Sequence, residues 1–121
     1  MIRVLLVEDN DAYRESLAFL LSRREELEVV GGVATGWEAA GACAELGADV
    51  AVVDVRLPDI GGAEAAAAIR ERSPGTAVVL LSASAGAGER DAARISGLPL
   101  VRKDEGISAL VEAIQRVRSE Q

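Results

Sequence analysis

Residues 50–54 read Val50-Ala51-Val52-Val53-Asp54, four small or β-branched apolar side chains without interruption and then a carboxylate. A strand with one face in water alternates apolar and polar residues. An unbroken run of this kind fits a strand covered on both faces. Residues 2–7, 27–30, 77–81 and 98–101 have the same character, mostly β-branched or Leu-rich and mostly unalternating.

The intervals between these runs carry helical spacing. Tyr13, Leu17, Leu20 and Leu21 fall at i, i+4, i+7 and i+8 behind the capping candidates Asn10 and Asp11. Thr35 and Glu38 have the spacing of a capping box, with Ala39, Cys43 and Leu46 on one face and Gly47 as the stop. A third helix is predicted over residues 63–72, ended by Ser73-Pro74-Gly75, and Ile107, Leu110, Val111, Ile114 and Val117 mark the last one. The fourth interval, Ser82-Ala-Ser-Ala-Gly-Ala-Gly88, has no large apolar side chain, which predicts a short helix from near Glu89 behind a mobile loop. Strand and helix alternating five times imply crossover connections: a doubly wound α/β fold with a parallel sheet and helices on both faces. At 121 residues there is room for one core and one domain, residues 1–121.

Composition removes much chemistry. There are 12 Arg but a single Lys, Lys103, with 13 Glu, 7 Asp, one Cys and no His. Without imidazole there is no Ser-His-Asp or Cys-His nucleophile system and no zinc site of the usual kind. A lone Cys43 cannot form an internal disulfide, which fits a small apolar filler on a helix and a reducing, cytoplasmic setting. A net charge of −7 argues against nucleic acid or an anionic membrane as a direct partner of this domain. No 18-residue apolar run and no signal-peptide pattern is present.

In open parallel sheets, ligands bind beyond the carboxyl ends of the strands, where the strand order reverses. The residues that follow the apolar runs are therefore the candidates: Glu8 and Asp9, Asp54, Ser82 and Lys103. Three carboxylates at one edge each raise the cost of ionising the others unless a cation compensates. Mg²⁺ suits them, because it takes one or two carboxylates and keeps waters that phosphoryl oxygens can replace. Mg²⁺ and Lys103 together would balance the three negative charges. If Asp54 became an acyl phosphate carrying about −2, both cations would gain in value, so the arrangement suits phosphoryl transfer to an aspartate. A lysine kept in an otherwise Arg-using chain has a chemical reason here, as a compact point charge on a flexible stem.

Four strings carry a family resemblance: Arg3-Val-Leu-Leu-Val-Glu8-Asp9-Asn10-Asp11, Val50-Ala-Val-Val-Asp54-Val-Arg56-Leu57-Pro58-Asp59 with Gly61-Gly62, Val78-Val-Leu-Leu-Ser82-Ala83, and Val101-Arg-Lys103-Asp104. In order and spacing the chain resembles a bacterial response-regulator receiver domain along essentially its whole length. The resemblance implies a flavodoxin-like (βα)5 fold with strand order 2-1-3-4-5. It implies Asp54 as phosphoacceptor; Asp9, Glu8, Asp54 and the backbone carbonyl of Arg56 as the Mg²⁺ site; and Ser82, the Ala83 amide and Lys103 as phosphoryl contacts. The donor is expected to be a sensor histidine kinase or phosphotransfer protein, which supplies the histidine this chain lacks. Catalysis would be confined to the chain's own phosphorylation and dephosphorylation.

Two departures fall on the face through which such domains switch. Leu100 stands where an aromatic commonly precedes the lysine by three residues, and the stretch from Ser82 to Lys103 is about one residue shorter than usual. Leu27-Glu-Val-Val-Gly-Gly and Lys103-Asp104 extend the resemblance to the NarL/LuxR class. The chain then reads as a stand-alone regulator, or as the N-terminal part of a longer one that reaches DNA through a C-terminal domain not in this chain. A homodimer is open.

Two other classes stay in view. One is a binding module on the same fold that works without phosphorylation, suggested by Leu100 and the glycine-rich fourth loop. The other is a haloacid-dehalogenase-like phosphatase using Asp9-Asn10-Asp11, although the chain is short for that fold and shows no cap insertion. Gly86-Ala-Gly88-Glu-Arg-Asp91 fails as a dinucleotide fingerprint, because Asp91 stands where the third small residue belongs. Trp37 reads as a partly exposed packing residue.

Overall fold

The computed structural model describes residues 1–83, 93–94 and 96–120. Five strands, β1 (Ile2–Val7), β2 (Leu27–Val33), β3 (Val50–Asp54), β4 (Ala77–Ser82) and β5 (Leu100–Arg102), form one parallel sheet in the order β2-β1-β3-β4-β5. The helices are α1 (Asp11–Ser22), α2 (Gly36–Leu46), α3 (Gly62–Arg72) and α4 (Ile107–Ser119), with a 3-10 turn at Lys103–Glu105. The strand order reverses between β1 and β3, so their carboxyl ends lie side by side at the switch point. The predicted helix start near Glu89 and its leading loop lie outside the described residues, while Ala93, Arg94 and Ser96 are helical.

Burial on both faces explains the unbroken apolar runs. On one face Val4, Leu6, Val52, Val79, Leu81 and Val101 meet Leu17 and Leu21 of α1 and Leu110, Val111 and Ile114 of α4. On the other, Leu5, Val7, Ala51, Val53, Val78 and Leu80 meet Ala39, Ala40 and Cys43 of α2 and Ala65, Ala66 and Ile69 of α3. Neighbouring strand residues thus serve opposite layers, as the period of two requires. Cys43 is fully buried, and that burial, against a hydrogen bond with Thr76, pushes its thiol up to about 11.

Helix starts follow the sequence closely. The Asn10 side chain accepts from the Tyr13 N–H at 2.9 Å, and Thr35 Oγ1 accepts from the Glu38 N–H at 3.3 Å. Gly47 ends α2 in the left-handed region at φ 64°.

Four expectations are corrected. β2 runs on from residue 30 to Val33, because Gly31 and Gly32 stay extended beside Leu5 and Leu6 after a register shift at Val4/Leu5. The space a Cβ would need at Gly31 is taken by Leu46 Cδ1, 2.9 Å away. β5 starts at Leu100, not residue 98, because Pro99 has no N–H to give the ladder, although its carbonyl accepts from Leu80 N–H at 2.9 Å. Leu20 is 44% exposed, since Leu17 and Leu21 take the stripe that faces the sheet. Trp37 is 72% exposed, since Gly36, Ala39, Ala40 and Cys43 form the buried stripe of α2 and leave it on the outer side.

Gly62 fixes how closely α3 approaches β3. Its N–H donates to the Val55 carbonyl at 2.9 Å, and a Cβ there would stand 2.7 Å from the Asp54 carbonyl oxygen and 2.8 Å from Val55 Cα. Both obstacles are backbone, so nothing can rotate aside. Gly62→Ala is expected to destabilise the fold by about 1–3 kcal/mol in thermal or urea denaturation. Gly75→Ala, where a Cβ meets nothing within 4 Å, should be close to neutral.

Candidate functional site

The strand ends at the switch point deliver three acids, two from β1 and one from β3. β1 closes at Val7, and Glu8 is held by its N–H to the Val33 carbonyl at 3.0 Å and by its carbonyl, which accepts from Arg14 Nη1 at 2.6 Å. Its carboxylate turns inward, 2% exposed, with Oε2 accepting from the Asn10 N–H at 3.1 Å. Asp9, the next residue, is exposed. β3 ends on Asp54, 6% exposed, whose Oδ1 accepts from the Arg56 N–H at 2.9 Å. The Val55 N–H to Leu81 carbonyl bond at 2.9 Å and Gly62 hold the backbone just beyond it.

Lys103 closes the cluster from the end of β5. Its ammonium donates to Glu8 Oε1 at 2.7 Å and to Asp54 Oδ2 at 3.0 Å. Carboxylate oxygens of Glu8, Asp9 and Asp54 lie within 4.8 Å of one another. The three acids and Lys103 leave a formal charge of −2, which a divalent ion would neutralise. The donor set is all oxygen, with two carboxylates buried and one open to solvent, and this is the kind of site that suits a hard cation keeping part of its water. Partial burial works to lower the Lys103 ammonium, but hydrogen bonds and charge from Glu8 and Asp54 outweigh it, so its pKa is raised.

The remaining predicted residues sit around this centre. Ser82, 2% exposed, ends β4 beside β3, one step beyond the Asp54–Leu81 pair in the ladder and opposite Arg102. Arg56 begins the loop after Asp54 and bridges to Gly61. Leu100 is half-buried, paired with Leu80, and packs into the layer formed with α2 and α3, whereas Val101 packs into the other layer. Asp11, the second acid of the Asp-x-Asp reading, stays outside the cluster: it is 78% exposed and paired with Arg14 at 2.7 Å.

Two contributors were not read from the sequence. Asp59, in the loop after Asp54, accepts from the Gly36 N–H at 2.9 Å and the Trp37 N–H at 2.8 Å, so it caps α2 from another part of the chain. Desolvation opposes ionisation of Asp59, yet its backbone hydrogen bonds win and hold its carboxyl below the usual value. An Asp within a loop gives no sign of which helix it will cap. Tyr13 shows a helical apolar stripe in sequence, but Lys103 Nζ lies over its ring, 4.3 Å from the centroid. Burial raises the Tyr13 hydroxyl pKa, with the Lys103 charge opposing.

Comparison with known proteins agrees with this geometry. A family model described as "Response regulator receiver domain" matches residues 4–115. The chain is 34% identical to the transcriptional regulatory protein LnrK of Bacillus subtilis, over 98% of this chain and 54% of that protein. It is 31% identical to the response regulator GacA of Pseudomonas aeruginosa, over 97% of this chain and 55% of that protein. It spans about half the length of the curated relatives it matches. Among solved structures, the signal receiver domain of NarL from Mycobacterium tuberculosis aligns with a TM-score of 0.89 at 29% identity, covering 99% of this chain and 98% of that one. Among the described residues, no helix is long and apolar enough to cross a membrane.

Replacing Lys103 leaves two buried carboxylates facing each other. Removing one member of a buried ion cluster costs about 3–5 kcal/mol, and with the lysine side chain 21% exposed we expect about 2–3 kcal/mol for Lys103→Met, read by urea denaturation without divalent ions. For Asp59, a lowered folded pKa means that its contribution is present above the usual 3.8 and is lost as pH falls through the folded value. Asp59→Ala should therefore melt below the wild type at neutral pH, and the two melting temperatures should converge on acidification below 3.8.

Proposed function

The chain belongs to the response-regulator receiver family of two-component systems, and on that premise we propose that Asp54 is its phosphoacceptor. The observation that carries the reading is the clustering of Glu8, Asp9 and Asp54 with Lys103 hydrogen-bonded to both buried acids. An isolated acid at a strand end is ordinary. Two buried carboxylates that share one ammonium as hydrogen-bond donor suit an aspartyl nucleophile and its cation site.

An Asp54 carboxylate oxygen attacks the phosphorus of a phosphohistidine on a partner kinase or phosphotransfer protein. The new O–P bond forms as the P–N bond breaks, and its electron pair stays with the imidazole nitrogen. The Arg56 N–H orients the Asp54 carboxylate through Oδ1, and Lys103 moves its donors onto phosphoryl oxygens. The Ser82 hydroxyl and the Ala83 amide contact the transferred group. Glu8, Asp9, Asp54 and the Arg56 carbonyl would hold Mg²⁺, which when bound offsets negative charge on the phosphoryl oxygens. Hydrolysis of the acyl phosphate reverses the modification, so the chemistry acts only on the chain itself.

The relatives are about twice as long as this chain and include named transcriptional regulators, which supports a receiver, residues 1–121, that works with an output region in the cytoplasm. DNA would then be reached through that region, and phosphorylation would control it through Ser82, at the end of β4 beside β3, and Leu100, at the start of β5.

Incubation with acetyl phosphate and Mg²⁺, followed by intact-protein mass spectrometry, is expected to add one phosphoryl group to the wild type and none to Asp54→Ala. EDTA should abolish the adduct. An adduct retained by Asp54→Ala would remove Asp54 as the acceptor, and multiple turnovers lost only in Asp9→Asn would favour a phosphatase.

A further inference from the structure

The reaction proposed above asks for an ammonium that stays in place while its partners change. Lys103 has a flexible four-carbon stem, and both carboxylates it now touches have other work to do in that reaction. Asp54 loses charge at the oxygen that becomes the bridging oxygen of the acyl phosphate, and Glu8 belongs to the cation cluster. A contact that does not depend on either carboxylate would keep the ammonium over the site.

Tyr13 offers one. Lys103 Nζ lies over the ring, 4.3 Å from its centroid, well within the range in which an aromatic face attracts a cation. The ring is held in turn: Asn10 caps α1 through the Tyr13 N–H, and the side chain packs against the core layer formed with α1 and α4. It lines a groove of about 180 Å³ together with Leu17, Lys103, Ile107 and Leu110. The aromatic beside Lys103 thus comes from α1, on the face of the sheet opposite Leu100. The chain has one Tyr, one Trp and one Phe; Trp37 and Phe19 are 72% and 62% exposed, and Phe19 already faces Arg23.

We propose that Tyr13 is a positioning residue for Lys103, whose ring face holds the ammonium over the acceptor site as the carboxylates turn to a cation and a phosphoryl group. The proposal rests on the reading of Asp54 as phosphoacceptor. A ring-face contact makes a specific demand: phenylalanine must replace tyrosine and leucine must not.

The test titrates the full chain with beryllofluoride, a phosphoryl analogue, in Mg²⁺, and follows the Lys103 ε-methylene protons by NMR. Tyr13→Leu is expected to weaken binding about three- to tenfold, which is about 0.6–1.4 kcal/mol, and to abolish the upfield ring-current shift of those protons. Tyr13→Phe should stay within about twofold of wild type and keep the shift. In a Lys103→Met background, Tyr13→Leu should add nothing. The proposal is overturned if Tyr13→Leu binds like wild type, if Tyr13→Phe is as impaired as Tyr13→Leu, or if the leucine effect persists undiminished without Lys103. Wild-type protein that binds no beryllofluoride would overturn the phosphoacceptor reading first, and with it the reaction Tyr13 is proposed to serve. Circular dichroism melts of each variant separate these outcomes from loss of fold.

Discussion

Like charges brought to one edge of a sheet must be compensated, and here Lys103 does so across the chain: it reaches Glu8 at a separation of 95 residues and Asp54 at 49. That ammonium depends on the crossover topology, which sets the end of β5 on the same edge as the ends of β1 and β3. The two apolar layers fix the strands, the strands fix the carboxylates, and the carboxylates fix the lysine. A buried pair of acids without it would carry a desolvation penalty that core packing elsewhere would have to absorb.

The packing serves the same end through small residues. α2 and α3 present Ala39, Ala40, Ala65 and Ala66 to the sheet, and Gly62 brings the start of α3 against the Asp54 backbone. Close approach there leaves the loop after Asp54 little room to move. Asp59 reinforces this by joining that loop to the start of α2. Asp54 and its surroundings are therefore held by backbone contacts, while Asp9 stays open to solvent.

Much of this was legible in the residue order. Unbroken runs such as Val50–Val53 signal strands buried on both faces, and the acids that follow them fall at strand ends because nothing polar fits earlier. What was not legible depended on neighbours distant in sequence. Gly31-Gly32 look like a break, yet they extend β2 because Leu46 and Arg14 fill the space their missing side chains leave. Pro99 sits inside an apolar run and delays β5 by its missing N–H. Leu20 and Trp37 have core chemistry, but helical phase turns them outward. Asp59 and Tyr13 show the same limit at the site: their residue types were plain, and their partners, the start of α2 and Lys103, were set only by the closed fold.

The strands that close the sheet on either side, β2 and β5, each have one neighbour and so one row of backbone groups facing outward. A long, flat, apolar strand in that position recruits strands from other molecules. β5 offers only three residues, the last an exposed arginine. β2 is longer, but Glu28 stands exposed near its start, paired with Arg3 at 3.3 Å, and the register shift beside Gly31 interrupts its regularity. A domain whose five strands are all rich in valine, leucine or alanine is thereby discouraged from growing its sheet edge to edge into aggregates.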